Sequence, residues 1–154
     1  MKEIPLTRGQ YAIVDDADYE ALSQHRWHAI KPAGTYYATR RNGAKHVYMH
    51  RAVLETTGAV DHINGNGLDN RRDNLRPATT AQNQWNTEKQ ANNTSGYKGV
   101  TYDKRARKWK AYIGVNGKRL HLGYFSTAEE AASAYNDAAS VAHGEFAYRN
   151  GINA

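Results

Sequence analysis

The 154-residue chain contains no cysteine. That absence removes disulfides, thiolate zinc sites and cysteine nucleophiles together. No apolar run approaches the ~20 residues that a membrane-spanning helix needs. The opening stretch, MKEIPLTRG, has no signal-peptide core. A soluble, cytoplasmic protein is the expectation. Acidic residues are also short: 15 Asp and Glu face 21 Lys and Arg, a formal charge of +6. That balance suits a partner carrying phosphates, although charge alone identifies none. Aromatic residues are plentiful, with eleven Tyr and three Trp, enough to fill small cores or stack on bases. The length allows one domain or two small ones.

One stretch, VDHINGNGLDNRRDNLRPATTAQNQWN from Val60 to Asn86, concentrates chemistry. It reads as a strand ending in Asp61-His62, a long Asn/Gly/Arg-rich loop, a short strand around Asn74 to Pro77, and a helix carrying Asn83. Thr79 and Thr80 are good N-cap residues for that helix. Hydrolysing a phosphodiester needs a base near neutral pH, the range of His. It also needs a hard cation on oxygen ligands. Asp61 and the Asn83 amide offer oxygens, and His62 offers the base. Neighbours in a strand point to opposite faces, so the strand is expected to end or twist at 61–62. A His beside an Asp is commonly just a surface pair, and an Asn/Gly-rich loop just a turn. An EF-hand loop is excluded, because Ile63 and Gly65 stand where it needs ligands.

These residues resemble the HNH endonucleases, whose site is a ββα-metal unit. The resemblance is closest to the phage and intron-associated branch, where DHINGxxxDNRxxNLR recurs, here with Asp69, Asn70, Arg71, Asn74, Leu75 and Arg76. It implies His62 as general base, Asn74 as a loop brace at the catalytic site, and Asp61 and Asn83 as ligands of one magnesium or manganese ion. Some members of the family carry a structural zinc on cysteines, which this chain cannot. His50-Arg51 resembles the His-Arg that often precedes the catalytic hairpin, with Arg51 on phosphate and His50 lining the site. The plainer reading of that pair is a solvent-facing first turn of a helix. Arg71, Arg72 and Arg76 are further candidates for DNA contact. The setting implied is a phage-infected or bacterial cell.

Residues 1–50 are less informative. Gln10 to Val14 reads as a strand, and Asp15 to Ser23 as a helix with acids in its first turn, where the helix dipole favours them. Arg26 to Ile30, Thr35 to Arg41 and His46 to Met49 read as a small sheet sheltering the 60–86 unit, the last two strands joined by an Asn42-Gly43 hairpin. His25, His28 and His46 read as surface or edge residues. From Thr87 to Ser95 the chain has linker composition.

Beyond Gly96 three strands are expected: Tyr97 to Tyr102, Trp109 to Val115 and Lys118 to Phe125. Asn116-Gly117 is a strong hairpin signal. Trp109, Ala111 and Ile113 alternate with polar neighbours. Leu120 and Leu122 are expected inward, with Arg119 and His121 outward. Thr127 and Glu130 form a capping box for a helix whose inward stripe is Ala131, Ala134, Tyr135, Ala138 and Ala142, ended by Gly144. Eight Lys and Arg lie between Lys98 and Arg119 against one acid, Asp103. The sheet face away from the helix is therefore expected to be positive, a shape that can enter a major groove.

SGYKGV, KWKAYI, GKRLHLGYF, STAEEAASAYNDAA and GEFAYRN resemble the APETALA/ethylene-response-factor type of DNA-binding domain. The resemblance implies a sheet lying in the major groove, with Lys98, Thr101, Tyr112, Gly114, Arg119 and His121 on its DNA side; Lys110, in the basic run, is a further candidate for DNA contact. Several Arg and Trp readers of the plant domains are Thr, Tyr, Gly or His here, so their target sequence does not carry over.

The expected fold is α+β. A nuclease domain covers 1–86, with a small N-terminal sheet at 1–50 and a ββα-metal core at about 56–86. A polar linker covers 87–95, and a three-stranded antiparallel sheet packed on one helix covers 96–154. The expected function is metal-dependent, site-specific cleavage of double-stranded DNA, of homing type and by nicking. A monomer is expected, with no membrane and no small-molecule cofactor. A non-enzymatic DNA-binding regulator on an inactive nuclease fold is the rival reading, and an RNA-binding protein the third.

Overall fold

A computed structural model describes residues 1–87, 89–90 and 92–152. The chain forms two compact units, Met1–Gln84 and Trp85–Ala154. Both mix short strands and helices.

In the first unit, β1 (Lys2–Pro5) pairs antiparallel with β2 (Tyr11–Val14). Helix α1 (Asp16–Ser23) follows at once, with Asp16 and Asp18 in its first turn. Next come β3 (His28–Ala33), β4 (Thr35–Asn42) and β5 (Lys45–Tyr48), a meander in the order β3-β4-β5. The Asn42-Gly43 turn closes on an Asn42–Lys45 pair. His25, His28 and His46 are exposed. Helix α2 (Met49–Leu54) runs straight on from β5. Strands β6 (Val60–His62) and β7 (Leu75–Pro77) pair antiparallel, Asp61 opposite Arg76 and His62 opposite Leu75. Helix α3 (Thr80–Asn86) comes next.

One core joins these pieces: Ile4, Val14, Leu22, Trp27, Met49, Val53, Val60, Leu68 and Leu75 pack together. Trp27, 1% exposed, donates its indole N–H to the Leu22 carbonyl at 2.8 Å. A buried Trp thereby keeps its polar handle satisfied. Strand β1, not expected from the sequence, supplies Ile4 to this core. Its pattern, one buried residue in four, is too short to register as alternation.

In the second unit, β8 (Val100–Asp103), β9 (Lys108–Val115) and β10 (Lys118–Phe125) form an antiparallel sheet in the order β10-β9-β8. Helix α4 (Ala128–His143) covers one face. Its N-terminus carries the capping box: the Thr127 hydroxyl accepts from the Glu130 N–H, and the Glu130 carboxylate accepts from the Thr127 N–H. The buried stripe is Ala128, Ala131, Ala132, Tyr135, Ala139 and His143, rotated from the expected one. Ala134, Ala138 and Ala142 are only partly buried at its edge. Leu120 is 49% exposed although it pairs with buried Ile113. A bulge between His121 and Gly123 turns Leu122 into the core instead. The stretch expected as linker is partly folded onto this unit: Asn93 donates to the Tyr97 carbonyl at 2.7 Å and accepts from the Gly96 N–H at 2.9 Å.

Candidate functional site

The end of β6 is where the candidate residues gather. Asp61 and His62 are both buried, at 6% and 5% exposure, and the strand stops at His62. A turn follows, closed by the Gly65 N–H on the His62 carbonyl at 2.8 Å. Across the strand Asp61 meets Arg76, while His62 meets Asn70, Tyr37 and His50.

The loop from Ile63 to Asn74 has no ladder of its own, so its backbone must be satisfied elsewhere. Strand β2 supplies part of that. The Ile13 N–H donates to the Leu68 carbonyl and the Ile13 carbonyl accepts from the Asn70 N–H, both at 2.8 Å. Strand β4 supplies more, through the Thr35 hydroxyl accepting from the Gly67 N–H at 3.2 Å. Asn74, 6% exposed, ties the loop internally. Its amide oxygen accepts from the Asn64 N–H, and its NH2 donates to the Asn64 amide oxygen, both at 3.0 Å; the NH2 also reaches the Asp69 carbonyl at 2.8 Å.

His62 sits in an aromatic box. The His50 ring meets it edge-on at 5.1 Å and the Tyr37 ring at 5.8 Å, while Tyr48 stacks on His50 at 5.2 Å. Burial holds the His62 pKa below its ordinary value, against the opposing pull of Asn70, Asp61 and Asp69. The imidazole is therefore neutral at pH 7 and able to take a proton. Burial pushes His50 further, to about 3, helped by the neighbouring His62 and Arg51. Burial also raises the Tyr37 phenol, with Asp61 adding to the effect.

Asn83, on α3, donates from its NH2 to the Val60 carbonyl at 3.2 Å, which anchors its amide beside β6. Its Oδ1 is buried and accepts no hydrogen bond. A buried acceptor without a partner is costly, and a hard cation would satisfy it. Asp61 adds a buried carboxylate. This carboxylate and amide pair fits an oxygen-liganded metal and not a soft one. Among the described residues, no cluster of three or more His, Cys, Asp or Glu has metal-ligating geometry.

Three arginines expected at DNA close ion pairs within the unit. Arg76 Nη2 lies 2.6 Å from Asp61 Oδ2. Arg71 engages Asp69 in two bonds, at 2.8 and 2.7 Å, and holds the Asp69 pKa below the usual carboxylate range. Arg72 makes two hydrogen bonds to the Asp18 carboxylate, at 2.9 and 2.7 Å, and its backbone N–H donates to Asp15 at 2.8 Å. These guanidiniums fasten the loop to its surroundings. Arg51, by contrast, lies over the Tyr48 ring at 5.5 Å with a buried Nε that has no hydrogen-bond partner.

On the second unit's sheet, register puts Thr101, Lys110, Tyr112, Gly114, Arg119 and His121 on the face away from α4. Thr101 pairs with Lys110, Arg119 with Gly114, and His121 with Tyr112. The Arg119 guanidinium lies 4.2 Å from the Tyr112 ring centroid. Lys98 stands apart from this set. Its ammonium donates to the Trp85 and Thr87 carbonyls at 3.0 and 2.6 Å, and burial pushes it down to about 8. It precedes β8 and lies outside the ladder, so it does not join the sheet's outward face.

Two residues central to this geometry were not singled out as site residues from the sequence: Asn70, which touches His62, and Tyr37. Asn70 lay inside the recognised motif, so its position was visible although its contact was not. Tyr37 gave no signal, being one of two adjacent tyrosines in its strand.

A buried acid and a neutral imidazole closing β6, with an orphaned amide oxygen on a side chain anchored to the strand's first residue, are the chemistry of a nuclease-class site. Comparisons with known proteins agree. The HNH endonuclease family model matches residues 47–85, and the AP2 domain model residues 95–145. Protein 3.8 of Escherichia phage T7 is 35% identical over 88 residues, covering 57% of this chain and 72% of that protein. An uncharacterized HNH endonuclease of Acanthamoeba polyphaga mimivirus is 28% identical over 150 residues, 95% of this chain and 78% of the relative. APETALA2-like protein 2 of Oryza sativa subsp. indica is 46% identical over 46 residues, 30% of this chain but 11% of the plant protein. No solved structure matches. The chain belongs to the HNH endonuclease family and carries an AP2 domain C-terminal to its nuclease region.

Proposed function

We propose that this chain is a metal-dependent, site-specific endonuclease of homing type that nicks double-stranded DNA. The observation that carries this reading is the orphaned Asn83 Oδ1, fixed beside the strand that bears Asp61 and His62. Asp61 and Asn83 would hold one divalent ion, magnesium or manganese. When bound, that ion supplies charge neutralisation at the phosphate and the leaving oxygen. His62, neutral and desolvated, takes the proton of the attacking water. Asn74 keeps the loop in place. Arg51 is the phosphate contact, since its Nε has no partner within the protein. The β8–β10 face, with Thr101, Lys110, Tyr112, Arg119 and His121, docks the duplex. Two compact units, at 1–84 and 85–154, support a division of labour between cutting and docking.

Arg76 on Asp61 favours the rival reading, a DNA-binding regulator in which the carboxylate is permanently occupied. Supercoiled plasmid carrying a target site decides between them. The enzyme gives open circles before any linear product, and loses that activity in EDTA and in His62→Ala, whose DNA binding persists. Intact plasmid with bound protein establishes the regulator. Linear DNA as the first product overturns the nickase.

A further inference from the structure

Nδ1 and Nε2 of a histidine are not equivalent, and which one carries the proton in the neutral ring is set by its hydrogen bonds. His62 Nε2 lies 3.3 Å from Asn70 Oδ1. An amide oxygen only accepts, so the direction of that bond depends on how the Asn70 amide is turned. The structure settles it through the other end of the same group. Asn70 Nδ2 lies 3.2 Å from the Leu68 carbonyl, which can accept only from an N–H, so Oδ1 must be the atom facing His62.

The amide has little freedom to turn over. Asn70 is 0% exposed. Its own N–H is held by the Ile13 carbonyl at 2.8 Å, and the Leu68 carbonyl accepts from the Ile13 N–H at the same distance. Strand β2 therefore fixes the backbone on which Asn70 sits.

We propose that Asn70 is the positioning residue of the nuclease site, holding His62 as the Nε2–H tautomer so that Nδ1 is the atom that accepts the proton. This rests on His62 being the base, as argued above. In the step, a water O–H bond breaks and its proton goes to Nδ1. The water oxygen forms a bond to phosphorus as the bond from phosphorus to the leaving oxygen breaks, and the leaving oxygen takes its proton from solvent. The Nε2–H bond to Asn70 also disperses the charge the ring acquires. A histidine held in the other tautomer would present an N–H, not a lone pair, to the water.

Nitrogen-15 NMR of the imidazole rings in the intact, metal-free protein near neutral pH tests this without reference to cleavage. The expected spectrum of His62 shows a protonated Nε2 and an unprotonated Nδ1. In Asn70→Ala the two tautomers mix, and kcat falls at least about 10-fold with KM for DNA little changed. Asn70→Asp, which keeps an acceptor oxygen toward Nε2, retains the Nε2–H tautomer even where Asn70→Ala does not fold. A wild-type His62 protonated on Nδ1 overturns the proposal whatever the cleavage result. So does a tautomer unchanged in a folded Asn70→Ala. The expected spectra combined with wild-type cleavage by His62→Ala would leave Asn70's hold on the ring intact while removing the base assignment itself.

Discussion

Arg76 and Asp61 face each other across the β6–β7 pair, Nη2 to Oδ2 at 2.6 Å and Nε to Oδ2 at 2.8 Å. Both side chains are largely buried, 14% and 7% exposed. A carboxylate proposed to hold a cation is thus neutralised by a guanidinium in the cation's absence. Arg76→Met should leave a buried charge without its partner, which typically costs about 3–5 kcal/mol. Manganese should restore much of that, because a cation bound to the native state raises its stability by mass action. Urea unfolding of both proteins with manganese and with EDTA measures it. A manganese effect no larger in Arg76→Met than in the parent protein would remove Asp61 from the ligand set.

His50 gives a prediction in pH. Its native pKa is about 3, against an ordinary value of 6.5, and burial is the largest cause. The unfolded chain therefore binds the proton first. Stability is full above pH 6.5 and declines as pH falls toward 3. Tyr37, Tyr48, His62 and Arg51 surround the ring, and none supplies a negative charge at these pH values. Between about pH 7.5 and 5 the loss from His50 should be about 2 kcal/mol. His50→Phe, which keeps a ring against Tyr48, should show a pH dependence shallower by about that amount. Parallel curves for the two proteins would show that His50 is already charged in the native state.

Much of the architecture was legible because its signals are local. Asn42-Gly43 and Asn116-Gly117 announced their hairpins, and Thr127 with Glu130 announced α4, since each device works within a few residues. The motif likewise placed Asp61 and His62 on a strand and Asn83 on a helix, whereas Asn74, expected to open the second strand, closes a 3-10 turn just before it. What stayed hidden was pairing across the fold. Nothing near Arg72 says that its partner is Asp18, on α1. Nothing near Ile13 says that its backbone will clamp the loop at Leu68 and Asn70. The arginines therefore read as free positive charge, although ion pairs had claimed three of them. The hold on Lys98 was hidden in the same way, because the carbonyls that bond its ammonium have no sequence signature.

The outward face of β8–β10 gives a prediction in salt. Lys110 and Arg119 share that face with Tyr112 and His121. Each cation that neutralises a phosphate adds about 0.9 to the slope of log affinity against log salt. Lys110→Ala combined with Arg119→Ala should flatten the slope by about 2. Fluorescence anisotropy with labelled duplex over a salt series reads it directly. An unchanged slope would take this face off the DNA backbone.

Gly67 connects the N-terminal sheet to the chemistry. A Cβ added there would come within 2.4 Å of the Tyr36 carbonyl oxygen and 2.7 Å of the Tyr37 ring. The backbone carbonyl belongs to β4 and cannot move aside cheaply. The Tyr37 ring in turn packs against His62 at 5.8 Å. Gly67→Ala must therefore lift the loop away from β4, push the Tyr37 ring toward His62, or both. Lifting the loop breaks the Gly67 N–H bond to Thr35 and pulls at Leu68 and Asn70 on β2. The second unit holds the proposed docking face, so DNA affinity should change little. The cleavage rate should fall by about 10²-fold, the scale at which a displacement of about 1 Å acts on a positioned catalytic group. Thr35→Val is the companion variant: it removes the bond to Gly67 without the clash, and should cost less. Anisotropy and plasmid nicking on the same preparations separate the two effects. Parent-like nicking by a folded Gly67→Ala would show that the loop can leave β4 without disturbing His62, and that the N-terminal sheet does not position the site.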